Sequence, residues 1–225
     1  MKLILAWVIA NAIATAAGVV GGLGAAMVAY ALATKIGVLG AVLALGLYPI
    51  AGFVLGAVAA TGQHLVLRRY LPISGLRWIA RSGAASALIL MPAFAVGWYA
   101  IAPIAYLSPD ALRAPLSGRL LVGLHFAVIG ALMGAVLGWA QRTEFRRAGY
   151  DAPRWTLVNA LGAALGCALV LGGTAFAPQG AVGRGAGTLI TSAPIFGLVG
   201  AAAAIITGMY LKRILERRSA IGVMS

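Results

Sequence analysis

One pattern recurs three times along the chain and leaves few architectures open. Trp7, Trp78 and Trp155 each open an apolar run. Each is followed, 56 to 63 residues later, by the end of a helix whose small residues recur every fourth position. The first copy opens WVIANAIATAAG, with Asn11 four residues after the tryptophan; the third opens WTLVNALGAALG, with Asn159 at the same offset. The second copy is degenerate and has Ser82 there. The closing ladders are Gly52, Gly56, Ala60 and then Gln63; Gly130, Gly134, Gly138 and then Gln141; Gly200, Ala204, Gly208 and then Leu211. The spacing predicts a two-helix hairpin in three tandem copies, 1–70, 71–147 and 148–225, forming a single bundle. A fold built from repeats is mis-assigned if they are overlooked, so they are read before any other feature.

Composition decides the solvent. Hydrophobic residues make up 62% of the chain, and only 21 of 225 side chains are charged, too few to cover a water-soluble surface. Crossing about 30 Å of hydrocarbon takes about 20 helical residues. Six stretches reach that length: Leu3 to Ala33, Val38 to Leu67, Ser82 to Ala102, Leu120 to Ala140, Trp155 to Phe176 and Gly187 to Leu211. The apolar and polar alternation of a β-barrel strand is missing from them. The expected fold is an all-α integral membrane protein with six transmembrane helices.

The net charge of +13 is distributed like that of a membrane protein. Thirteen Lys and Arg residues fall at the N-terminus, in the second and fourth connections and in the tail, against four (Lys35, Arg113, Arg119 and Arg184) on the other side. This imbalance in short loops is the positive-inside signature and predicts both termini in the cytoplasm, as in a bacterial inner membrane. Basic residues beside helix ends fit anionic lipid headgroups. They do not form the folded basic face that nucleic acid requires. Lys2, the apolar run behind it and the small residues around Ala14, Thr15 and Ala16 have the outline of a signal peptide. Trp7 is the opening residue of the repeat, however, so this segment is expected to remain as a helix. The lone cysteine, Cys167, leaves no intramolecular disulfide to form. Trp7, Trp78, Trp139 and Trp155 fall at the predicted cytoplasmic helix ends and Trp98 near the outer boundary, where tryptophan ordinarily anchors in the interface.

Two sets of residues carry packing and polar chemistry. Hydrophobic drive between helices is small in lipid, so association relies on close van der Waals approach, which four-residue ladders of Gly and Ala permit. The polar residues Asn11, Ser82 and Asn159 lie about one turn inside the cytoplasmic boundary, and Gln63 and Gln141 at nearly the same depth, by a rise of about 1.5 Å per residue. They predict a belt in which Asn and Gln hydrogen-bond across each hairpin. The alternative is a polar constriction along a pathway.

Other chemistry is sparse. His64 and His125 lie in opposite leaflets and cannot share a metal. A solitary histidine in an apolar helix, as His125 is, can serve as an axial ligand to a haem or chlorophyll-type macrocycle, and it can equally hydrogen-bond a neighbouring helix. Asp110, Glu144, Asp151 and Glu216 are the only acids, all expected in loops or the tail, which leaves no intramembrane carboxylate for general-base work or proton coupling. No HExxH, GxSxG, Walker or Rossmann pattern occurs. The glycine-rich GAVGRGAG from Gly180 to Gly187 lacks the preceding strand that phosphate binding would need. Pro49, Pro92 and Pro194 fall inside the expected spans and shape the bundle.

The Trp-x-x-x-Asn openings and the Gly-x-x-x-Gly-x-x-Gln ladder running into Leu67, Arg68 and Arg69 resemble a loose group of bacterial multi-pass membrane proteins with repeated Trp, Gly and Gln-Arg motifs. That resemblance covers most of the chain and implies no activity. Three hairpins also resemble the plan of mitochondrial carriers, but the charged carrier motif after the odd helices is missing and that function is not carried over. The sequence points to a non-enzymatic accessory or scaffold subunit whose partners are other integral membrane subunits and lipid. A passive channel or transporter for a small neutral or anionic solute is the alternative.

Overall fold

The structure is a computed structural model, and it describes residues 2–96, 116–174 and 186–222. The regular structure among them is helical: α1, Lys2–Leu67; α2, Gly75–Val96; α3, Leu116–Arg147; α4, Trp155–Thr174; and α5, Ala186–Gly222. Among the described residues four stretches are long and apolar enough to cross a membrane, namely Lys2–Gly22, Gly46–Leu67, Phe126–Arg147 and Pro194–Arg217, with a shorter apolar stretch at Trp155–Leu169.

α1 is a hairpin rather than a rod. Gly37 has φ 63° and ψ −135°, a conformation closed to residues with a Cβ, and it divides the helix into arms 2–36 and 38–67. Gly18 lies against Leu55, Gly22 against Ala51 and Gly62 against Ala14. The members of each pair are nearly equidistant from Gly37, so the arms run antiparallel. The loop expected between Ala33 and Val38 is reduced to one residue.

Helix limits elsewhere differ from the expected spans mainly at the basic end. α2 begins at Gly75, seven residues before the expected Ser82, and residues 97–102 of that span lie outside the described residues. α3 continues to Arg147, so half of the loop expected from Gln141 to Arg154 is helix. The connection to α4 is short, with Gly149 at φ 76° ending the turn. α5 extends through the basic tail to Gly222. Charged residues past the apolar run are good helix formers and prolong a helix that hydropathy alone would end.

Each helix packs on the next in chain order, and α5 packs back onto α1, closing the bundle. Polar and apolar positions are inverted relative to a water-soluble protein. Leu5, Ile9 and Ile13 of α1, Leu124, Val128 and Leu132 of α3, and Leu157, Leu161, Leu165 and Leu169 of α4 face outward. Asn11, Gln63, Ser82, Gln141, Glu144, Asn159 and Thr207 are buried. A surface this apolar fits a lipid solvent. At the basic end a core of Trp7, Leu67, Trp78, Phe145, Trp155, Leu211 and Ile214 gathers the helix termini.

Candidate functional site

The ladders fix how closely the helices approach, and so where the polar side chains meet. A Cβ added to Gly130 would stand 2.5 Å from the Ala163 carbonyl oxygen on α4, and Gly134 and Gly138 abut the backbone of Asn159 and Thr156 on the same helix. Gly200 of α5 would meet Thr15 at 2.5 Å and the Asn11 carbonyl at 2.8 Å, and Gly208 would meet Trp7 at 2.9 Å. Gly56 lies against Ser82 and Ser86 of α2. Gly52, Ala60 and Ala204 are buried in the same faces. Glycines of the opening helices face back: Gly162 and Gly166 sit against Ala203 and Val199 of α5. Contacts this close between backbones maximise dispersion and exclude side chains larger than hydrogen.

The polar residues of the belt are joined in one chain of hydrogen bonds. Gln63 donates through Nε2 to Asn11 Oδ1 at 2.8 Å. Gln141 donates through Nε2 to Gln63 Oε1 at 2.8 Å and to Ser82 Oγ at 3.2 Å, and its own Oε1 accepts from the Trp155 indole at 3.1 Å. The Asn11 and Asn159 amides donate to the carbonyls of Trp7 and Trp155, one turn back in their own helices. Trp7 donates to Thr207 Oγ1 at 2.9 Å, closing α1 onto α5. Gln141 is the hub, with both ends of its amide engaged. In the third copy the glutamine position holds Leu211, so Asn159 has no such amide in its own hairpin and bonds the Trp155 carbonyl, while the Trp155 indole reaches back to Gln141 of the second copy.

Three tryptophans expected as interfacial anchors are not at a surface. Trp7, Trp78 and Trp155 have no accessible area and form the floor of the belt. Trp155 meets Phe145 in a tilted contact at 4.7 Å and Trp7 edge-on at 6.3 Å, and Trp78 meets Phe145 edge-on at 5.6 Å. Helix-end position cannot separate an inward from an outward ring, and the neighbouring small residues leave room for the indoles inside. Trp139 does face outward, 66% exposed. Trp98 lies outside the described residues, and His125 falls within α3 with its side chain also outside them. The Nε1 of Trp78, the Nδ1 of His64, the Nε of Arg142 and the Oγ1 of Thr156 are buried and find no hydrogen-bond partner among the described residues.

Glu144 is the residue the sequence reading misplaced. It lies in the last turn of α3 rather than in a loop, and is 2% exposed. Arg81 Nη1 and Arg147 Nη1 both reach its Oε1, at 2.9 and 3.1 Å, and Arg77 Nε stands 3.5 Å from Oε2. Arg81 also donates to Thr143 Oγ1, whose hydroxyl donates to the Ala140 carbonyl. The carboxylate therefore ties α2 to α3 one turn beyond Gln141. Its helical spacing to Gln141, three residues, was the available signal: once α3 is extended through the basic run, both project from one face. Glu216 is exposed on α5, 3.4 Å from Lys212.

Comparison with protein-family models, with curated proteins and with solved structures finds no match. The chemistry that can be read is thus that of these side chains alone. Among the described residues no group of three His, Cys, Asp or Glu comes together.

Proposed function

We propose that the chain is a six-crossing bundle of three equivalent hairpins with both termini at the cytoplasmic face of a bacterial inner membrane. In this reading it acts without catalysis, as a scaffold or accessory subunit of a larger membrane complex. Contact pairs four residues beyond the tryptophans support the repeat: Gly56 with Ser82, Gly134 with Asn159 and Gly200 with Asn11. In each, the closing ladder of one copy meets the opening helix of the next, the third copy returning to the first.

The observation that carries the scaffold reading is the state of the belt. Asn11, Gln63, Ser82, Gln141 and Asn159 are buried and bonded to one another or to the tryptophan carbonyls, above a floor of indole rings. A solute pathway needs polar groups facing a lumen, whereas a buried belt whose amides bond one another specifies helix register. The outward apolar faces are then available to neighbouring subunits as well as to lipid.

Purification from the native membrane in a mild detergent tests this. Co-purifying subunits in fixed stoichiometry are the expected result, and absorption of the same sample reads out any pigment or haem, to be lost in His125→Leu. A chain that purifies alone, and that in liposomes carries a solute flux abolished by Asn11→Leu with Asn159→Leu while the fold persists, is instead the passive channel or transporter.

A further inference from the structure

Among the described residues three guanidinium groups converge on the single carboxylate of Glu144. Arg81 Nη1 and Arg147 Nη1 share one oxygen, and by those two distances the cationic nitrogens stand within about 6 Å of each other, where like charges repel. Glu144 neutralises one charge of three. Arg77 and Arg147 lie within ion-pair distance of it while their side chains stay 58% and 51% exposed, against 2% for Glu144, so donors beyond those on the carboxylate are within reach of the solvent side. The buried acid thus holds two guanidinium groups that remain half exposed. Arg77 stands in the first turn of α2 and Arg147 in the last turn of α3, so the opposite partial charges of the two helix ends offset one another and the side chains set the charge of the site.

We propose that Arg77 and Arg147, braced by Glu144 and Arg81, form a binding site for the phosphate of an anionic phospholipid headgroup at the seam between α2 and α3. The flanking surface favours a lipid over a free anion. Leu76, next in sequence to Arg77, is 81% exposed, so an apolar side chain adjoins the cations where an acyl chain would lie. A guanidinium fork matches two phosphate oxygens at once, which a lone ammonium cannot do. The inference rests on the reading of the chain as embedded in a bilayer and adds to it one defined site within a generally basic rim.

The full chain, delipidated in detergent, is titrated with phosphatidylglycerol and, separately, phosphatidylcholine, and bound lipid is counted by native mass spectrometry. Phosphatidylglycerol is expected to bind more tightly, and Arg77→Gln with Arg147→Gln to weaken it about tenfold or more, as losing charge-assisted contacts implies. Arg213→Gln, an exposed basic residue at the same end, serves as control and leaves binding unchanged. Arg77→Lys with Arg147→Lys keeps the charge and the fold, and still loses most of the binding if guanidinium forks grip the phosphate. Lysine variants that bind like the parent chain, or an equal loss in Arg213→Gln, overturn the site in favour of a diffuse basic field. Binding of inorganic phosphate alone, with the same dependence on Arg77 and Arg147 and full displacement of the lipid, overturns the lipid assignment. A chain that does not reconstitute into phosphatidylglycerol vesicles overturns the bilayer reading and the site with it.

Discussion

Gln141 shows how one side chain organises several helices. It bonds Gln63 of α1, Ser82 of α2 and Trp155 of α4. Gln141→Leu leaves the Gln63 carbonyl oxygen and the Trp155 indole N–H buried without those partners, at about 1–3 kcal/mol for each orphaned group. Thermal unfolding in detergent, followed by circular dichroism, is expected to show a larger loss than for Asn11→Leu, which leaves one such partner unmade. Glu144→Gln removes the charge on which Arg77, Arg81 and Arg147 converge. Breaking a buried pair by removing one partner costs about 3–5 kcal/mol, and the solvent reached by Arg77 and Arg147 places this change at or below the lower end of that range. Its melting point is expected to rise on adding salt, because screening relieves the repulsion left behind. The belt residues were legible because a polar amide in an apolar run stands out. Glu144 was not, because a lone acid in a basic stretch reads as loop until the helix is known to run through it.

Among elements, the ladders and the hairpin turn make opposite demands on glycine. Gly134→Ala places a methyl group against the backbone of Asn159, which cannot swing aside, so α3 and α4 must separate. Overpacking of this sort costs about 1–3 kcal/mol. Gly46→Ala meets nothing within 4 Å and is expected to raise stability by about 0.5–1 kcal/mol through helix propensity. A pair of melting curves decides whether the ladders are packing surfaces. Gly37→Ala also meets no neighbour, yet its φ of 63° with ψ −135° makes the substitution cost about 1–3 kcal/mol by backbone strain alone. The expected outcome is loss of melting temperature with no change in the contacts between the arms, checked by disulfide trapping between Gly21→Cys and Val54→Cys, which face each other without a clash, in a Cys167→Ala background. Four-residue spacing made the ladders readable from sequence. Which helix each ladder meets was not readable, since spacing describes a face and says nothing of what lies opposite.

For the whole molecule, hydropathy conveyed an all-helical fold with long apolar helices, while the inward turn of the tryptophans escaped it. Position along a helix gives depth, and direction around it depends on neighbours that only the assembled bundle supplies. The proposed orientation makes a simple forecast. In a Cys167→Ala background, an impermeant thiol reagent applied to sealed vesicles is expected to label Lys2→Cys and Arg217→Cys from one face and Lys35→Cys from the other. Labelling of Lys2→Cys and Lys35→Cys from the same face would exclude the crossing by the first arm of α1. The closure of α5 on α1 also carries a consequence for synthesis. Trp7 is made 200 residues ahead of its hydrogen-bond acceptor, Thr207. Until then the opening arm holds an indole N–H and a row of small residues, Asn11, Ala12, Thr15 and Ala16, shaped for a helix that does not yet exist. Contacts so distant in sequence form last and slowly. The nascent first hairpin is therefore a natural client for whatever shields unpaired helices in the membrane, and completion of the ring, rather than insertion of any single span, marks the end of folding.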